Sequence, residues 1–88
     1  MVYIILVYDI SVKRVNKVHK YLKQYLYWRQ NSVFEGELSA SGFSMLKAGL
    51  LDIIEVDEDM VIFYTVKSES YMKTEILGTE KEKRGFII

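Results

Sequence analysis

A single carboxylate, Asp9, stands at the end of the apolar run Val2–Tyr8 and directly ahead of a segment crowded with cations. Polar groups on loops at rigid strand ends are common site positions, and a following helix N-terminus favours negative charge. The plainer reading is that Asp9 caps the helix or satisfies turn amides; Ser11, a capable cap two residues nearer the helix, weakens it. One carboxylate does not hold a metal well, and Mg2+ usually takes one or two carboxylates with water and substrate phosphate completing its octahedron. A twofold dimer could bring two copies of Asp9 together.

Between Asp9 and Glu35 there is no acid, while Lys13, Arg14, Lys17, Lys20, Lys23 and Arg29 supply six of the twelve cations. At about 100° per residue, Lys13, Lys17 and Lys20 fall within roughly 60° of one another on a helix, opposite its apolar stripe. A cationic helix face is most often only the solvated side. Here no Asp or Glu offers the usual i,i+4 pairing, and an unpaired positive strip suits phosphates. Such contacts would be sequence-independent and salt-sensitive, positioning a nucleic acid without reading its bases. Asp52, Glu55, Asp57, Glu58 and Asp59 crowd a later turn, so a formal net charge of zero hides two poles.

Other chemistries lack their residues. There is no cysteine, and His19, the only imidazole, sits mid-helix among lysines and is read as non-catalytic. No glycine-rich phosphate loop, two-histidine zinc motif or calcium loop occurs. Any hydrolysis must rest on carboxylates. Glu35 and Glu37 read as solvated edge residues or dimer-interface partners and are kept out of the metal site. Tyr3, Tyr25 and Tyr64 lie on expected core faces and are read as packing.

The elements that must position these groups follow from periodicity. Val2–Tyr8, VYIILVY, is a β-branched and aromatic run too short for a helix, the pattern of a central strand covered on both faces. With Ser11 as N-cap, Val12, Val15, Val18, Leu22, Tyr25 and Leu26 recur at helical spacing, predicting one long amphipathic helix to about Trp28. Ser32–Leu38 alternates as a half-buried strand, with Phe34 and Leu38 on one face and Val33, Glu35 and Glu37 on the other. Ser39 or Ser41 caps a second helix, whose inner face is Phe43, Leu46, Leu50 and Ile53 or Ile54, and which ends at Asp57-Glu58-Asp59. Met60–Val66 is a second buried strand, and a further strand lies within Tyr71–Leu77. The order is assigned as β-α-β-β-α-β, the ferredoxin-like α+β motif, with strands one and three central in an antiparallel sheet and both helices on one face.

Residues 1–88 make one domain, which buries only about 60–65% of its unfolded surface and excludes a multidomain enzyme. Half the residues are apolar and 27% charged, too hydrophobic for a disordered chain and too evenly charged for a membrane protein. The opening apolar run is far shorter than a membrane span and has no cleavage site around it, so a cytoplasmic protein is expected. Without disulfides or thiolate metals, self-association is the expected support for so small a core. The last tetrad, Gly85–Ile88, needs a sheet edge to pair with. Stacking two open sheet faces and exchanging these C-terminal strands would bury both liabilities in a homodimer.

VYDIS at 7–11, the basic helix after it, RQNSVFEGEL at 29–38, the MVIFYTV strand and the EILG ending near Leu77 resemble the CRISPR-associated protein two family, over nearly the whole chain and in order. That family joins the spacer-acquisition machinery of bacterial and archaeal immunity. The resemblance implies a ferredoxin-like homodimer and a Mg2+-dependent endonuclease cutting RNA or double-stranded DNA, with the strand-one aspartate, here Asp9, as metal ligand and catalytic residue. Two Asp9 carboxylates would face each other across the dimer cleft, bind one divalent cation and activate a water for attack on a phosphodiester. Arg14, Arg29 and the lysines Lys13, Lys17 and Lys20 would hold the nucleic-acid backbone. Many relatives carry further acidic or polar residues after the DIS triplet; this chain goes directly to Val12 and Lys13. The resemblance also supports a non-catalytic dimer that bridges CRISPR integrase subunits and cradles the DNA to be inserted. A ferredoxin-like regulatory module with a small ligand between subunits is the third reading, and it would not need an acid-free helix.

Overall fold

The first apolar run forms β1, Val2–Asp9, and its alternation sorts side chains onto two faces: Ile4, Leu6 and Tyr8 are buried, while Tyr3, Ile5 and Val7 are only half-buried. The structure, a computed structural model, describes residues 1–68 and 71–80. After β1 come helix α1, Val15–Leu22, and the hairpin of β2, Tyr27–Gln30, and β3, Val33–Leu38. Helix α2, Ala40–Ile53, then leads to β4, Met60–Ser68, and β5, Tyr71–Gly78.

The sheet order is β2-β3-β1-β4-β5, every pair antiparallel. Its first four strands place β1 and β3 at the centre, as the ferredoxin-like motif requires. β5 adds to the outer edge of β4, so Met60–Ser68 is also an interior strand. The Gly85–Ile88 tetrad and the strand exchange expected of it lie outside the described residues.

One strand and two boundaries differ from the sequence expectation: the segments located there run strand, helix, strand, helix, strand, strand, and the assigned β-α-β-β-α-β order is met only because β2 forms between α1 and β3. The helix does not run to Trp28. It ends at Leu22, where Gln24, Tyr25 and Leu26 amides turn back onto the carbonyls of Tyr21 and Leu22. Leu26 stays buried beyond the helix end, so apolar spacing continues where the helix does not. The aromatic pair Tyr27-Trp28 favours a strand instead, and this strand supplies the second member of the hairpin that the motif needs. The start is also later. The Ser11 carbonyl accepts from the Arg14 and Val15 amides, making a turn that leaves Val12 88% exposed, and Arg14 occupies the cap position without a side-chain cap. At α2 the choice of cap is Ser39, whose Oγ accepts from the Gly42 amide at 3.0 Å.

Both helices cover the same face of the sheet. Val18 and Leu22 of α1 and Leu46 and Leu50 of α2 join Ile4, Leu6, Phe34, Val61 and Phe63 in one core, with every one of these side chains fully buried. The helices meet closely at Gly49, where an added Cβ would overlap the Tyr21 hydroxyl that donates to the Leu46 carbonyl at 3.2 Å. No helix covers the opposite face among the described residues. Tyr3 and Tyr64, expected in the core, belong to that opposite face because they alternate out of phase with Ile4, Leu6 and Phe63.

Candidate active site

Asp9 is the last residue of β1, paired in register with Met60 at the start of β4, and its side chain is exposed. Alternation from buried Tyr8 puts it with Tyr3, Ile5 and Val7 on the sheet face that neither helix covers. Two residues on, the chain is anchored. The Ser11 amide donates to Asp59 Oδ1 at 2.9 Å, and Asp59 is fully buried. Asp59 also accepts from the Glu55 amide at 2.9 Å and from Arg14, whose Nε lies 2.7 Å from Oδ2 and Nη2 3.1 Å from Oδ1. Arg14 Nη2 reaches Glu58 Oε1 at 2.7 Å as well.

Asp59 is thus tied to both sides of the candidate carboxylate: to Ser11 just after Asp9, and through the chain to Met60, Asp9's register partner. Burial pushes its pKa up, but the hydrogen bond from Arg14 and those from the Glu55 and Ser11 amides outweigh burial and hold it at about 2. Four hydrogen bonds occupy its oxygens, so Asp59 is a structural anion rather than a spare metal ligand. The end of β5 closes on the same turn. The Thr79 amide donates to the Asp59 carbonyl at 2.9 Å and the Thr79 hydroxyl to the Val56 carbonyl at 2.7 Å. Gly78 has φ +89° there, and any Cβ would collide with the Asp59 carbonyl oxygen.

The five cations expected to hold a nucleic-acid backbone divide into three groups. Lys13, in the turn, and Lys17 and Lys20, on α1, are exposed, and no ion pair engages them among the described residues. Lys17 and Lys20 line an open groove of about 520 Å³ together with Asn16 and His19. Arg14 is turned inward, its side chain only 17% exposed and committed to Asp59 and Glu58. Arg29 lies on β2, with Nε 3.4 Å from Glu35 Oε1. Glu35 also accepts from the Tyr3 hydroxyl, which raises that tyrosine's pKa.

Asp59 and the inward role of Arg14 are not visible in the sequence, where 57–59 reads as a helix-ending acidic turn and Arg14 as part of the ridge. The available signal is the two poles themselves: an acid-free segment and an acid-rich turn in one small domain. Among the described residues no three Asp, Glu or His side chains group to hold a metal ion. Among the described residues each chain thus brings Asp9 alone to such a site, at the low end of the one or two carboxylates that Mg2+ takes alongside water and substrate phosphate.

Fold and corner together define a small ferredoxin-like domain in which an acidic strand end adjoins a cationic helix. The chain belongs to the CRISPR associated protein Cas2 family, whose model matches residues 1–74. It is 51% identical over 81 residues to the CRISPR-associated endoribonuclease Cas2 2 of Archaeoglobus fulgidus, covering 92% of this chain and 88% of that one. It is 53% identical to the CRISPR-associated endoribonuclease Cas2 of Thermococcus kodakarensis, covering 90% and 91%. A crystal structure described as cas2 superposes with a TM-score of 0.73 at 44% identity, covering 99% and 98%. Streptococcus pyogenes Cas2 superposes with a TM-score of 0.68 at 28% identity, covering 77% of this chain and 88% of that one.

Proposed function

We propose that this chain is a divalent-metal-dependent endonuclease of the CRISPR system, working as a homodimer in the cytoplasm at the spacer-acquisition step alongside the integrase. The observation that carries the reading is Asp9, exposed on the sheet face that neither α1 nor α2 covers, at a strand end whose following loop the Asp59 clamp holds ahead of the α1 lysines. Relatives named endoribonucleases support RNA as a substrate.

The second copy follows from the metal's needs and from the sheet. Ile5, Val7, Val33 and Tyr64 are half-buried and Ile62 is buried on the face that neither α1 nor α2 covers, an apolar surface suited to a second sheet. Two such faces stacked about a twofold axis would put both Asp9 side chains on the same buried seam. Two carboxylates, with water and phosphate oxygens, hold Mg2+ better than one. The bound ion would supply an activated water and neutralise charge on the phosphodiester. Lys17 and Lys20 would hold backbone phosphates on the helix-covered side of the sheet, Lys13 would hold them at the turn after Asp9, and Arg29 would meet the backbone from β2. Arg14 would act indirectly, through the Asp59 clamp that fixes the loop after Asp9.

Asp9→Ala tests this reading. Folding and self-association should persist while Mg2+-dependent cleavage falls to background; undiminished cleavage would remove Asp9 from the mechanism. Spacer insertion that survives the loss of cleavage would identify the dimer as a non-catalytic bridge between integrase subunits.

A further inference from the structure

The groove between the α1 lysines runs into an aromatic assembly that the Asp9 site does not use. Trp28, the chain's only tryptophan, is 51% exposed on β2. Its indole is nonetheless fixed. Nε1 donates to the Asn31 carbonyl at 2.8 Å, within a turn where Asn31 adopts φ 43°. The His19 ring meets the indole edge-to-face, with centroids 5.1 Å apart and planes at 79°. His19 in turn meets fully buried Phe34 at 5.2 Å and 68°. A half-exposed indole is thereby chained to the core through one imidazole, while that same imidazole forms a wall of the groove with Asn16, Lys17 and Lys20.

We propose that Trp28 is a stacking platform for one unpaired base of a nucleic acid whose phosphates lie on Lys17 and Lys20. Cationic grooves flanked by aromatic rings are how unpaired strands are gripped without sequence preference, because every base presents a π-face. The ring is already immobilised, so stacking on it costs little further conformational entropy. Charge selects this occupant: α1 carries no acid, and its groove offers two ammonium groups on a wall whose His19 ring meets the indole. The platform lies on the helix-covered side of the sheet, since Trp28 pairs in register with buried Phe34, whereas Asp9 lies on the other side. It therefore rests on the nucleic-acid reading above but not on the chemistry at Asp9, and it would anchor a strand away from the point of cleavage.

The single tryptophan makes the test direct. Fluorescence of the unmodified protein is titrated with a single-stranded oligonucleotide, an abasic oligomer of equal phosphate number, inorganic polyphosphate and polyglutamate. Quenching by the base-bearing strand alone is expected. Trp28→Ala should weaken that strand's binding about tenfold and leave polyphosphate binding unchanged, with Trp28→Phe recovering most of the loss. Equal quenching by the abasic oligomer, quenching by polyglutamate, or an equal loss of polyphosphate binding in Trp28→Ala would overturn the platform. The wild-type titration decides the matter even if the alanine variant folds poorly. Asp9→Ala separates the two claims: it should quench like wild type, so a failure of the cleavage reading leaves the stacking result standing, and the reverse.

Discussion

Arg14 and Lys17 lie three residues apart in the same acid-free stretch, yet they have opposite fates. Arg14 is half-buried, turned onto Asp59 and Glu58, and fixes the loop beside Asp9; Lys17 stands in solvent at the wall of a groove. Absence of acids nearby in sequence says nothing about acids nearby in space. The Asp57–Asp59 turn precedes β4, β4 pairs with β1, and that pairing delivers Asp59 to the first turn after β1. Arginine suits the inward role, because its planar fork bonds two carboxylates at once, whereas an ammonium serves as a point charge toward mobile phosphates.

If this contrast holds, the largest effect belongs to the clamp. Asp59→Ala leaves the Arg14 guanidinium and two backbone amides without their acceptor, and should cost about 3–5 kcal/mol in denaturant unfolding. Lys17→Ala should stay within about 0.5 kcal/mol of wild type. Similar costs for the two would erase the distinction.

Acid sharpens the same contrast. Asp59's folded pKa, about 2, lies below its ordinary value of 3.8. Its contribution, about 2 kcal/mol, is therefore complete above pH 3.8 and lost as pH falls toward 2. Stability measured across this window should fall less in Asp59→Asn than in wild type; identical acid limbs would show that the clamp does not titrate as a unit.

The smallest effects are on binding. Lys17→Ala with Lys20→Ala should lower the slope of log affinity against log salt by nearly two on duplex, about 0.9 for each phosphate no longer neutralised. Once its instability is allowed for, Arg14→Ala should leave that slope almost unchanged. A slope reduced equally by Arg14→Ala would mean that the guanidinium leaves Asp59 to meet phosphate.

Much of this architecture is legible in period and composition. The strands at Val2–Tyr8 and Met60–Val66, the alternation of Phe34 against Glu35, and the inner face of α2 follow from side-chain spacing alone. Asp9 stands out because it terminates a run of apolar residues. The features that spacing hides depend on meetings between distant segments. Leu26 keeps the helical apolar rhythm although α1 has ended, so periodicity conceals β2; Tyr3 and Tyr64 are apolar enough to look interior, and only the placement of both helices assigns them to the other face. Asp59 looks like one more solvated acid because its three partners, Ser11, Arg14 and Glu55, converge only in the folded chain.

The central claim is that cleavage needs an Asp9 from each of two copies. Wild-type and Asp9→Ala chains should be mixed in varying proportion at fixed total concentration, allowed to exchange, and assayed for Mg2+-dependent cleavage of RNA. A shared site predicts activity that falls as the square of the wild-type fraction, since mixed dimers hold only one carboxylate. Activity falling in direct proportion to that fraction would show that each chain acts alone, and would contradict the account.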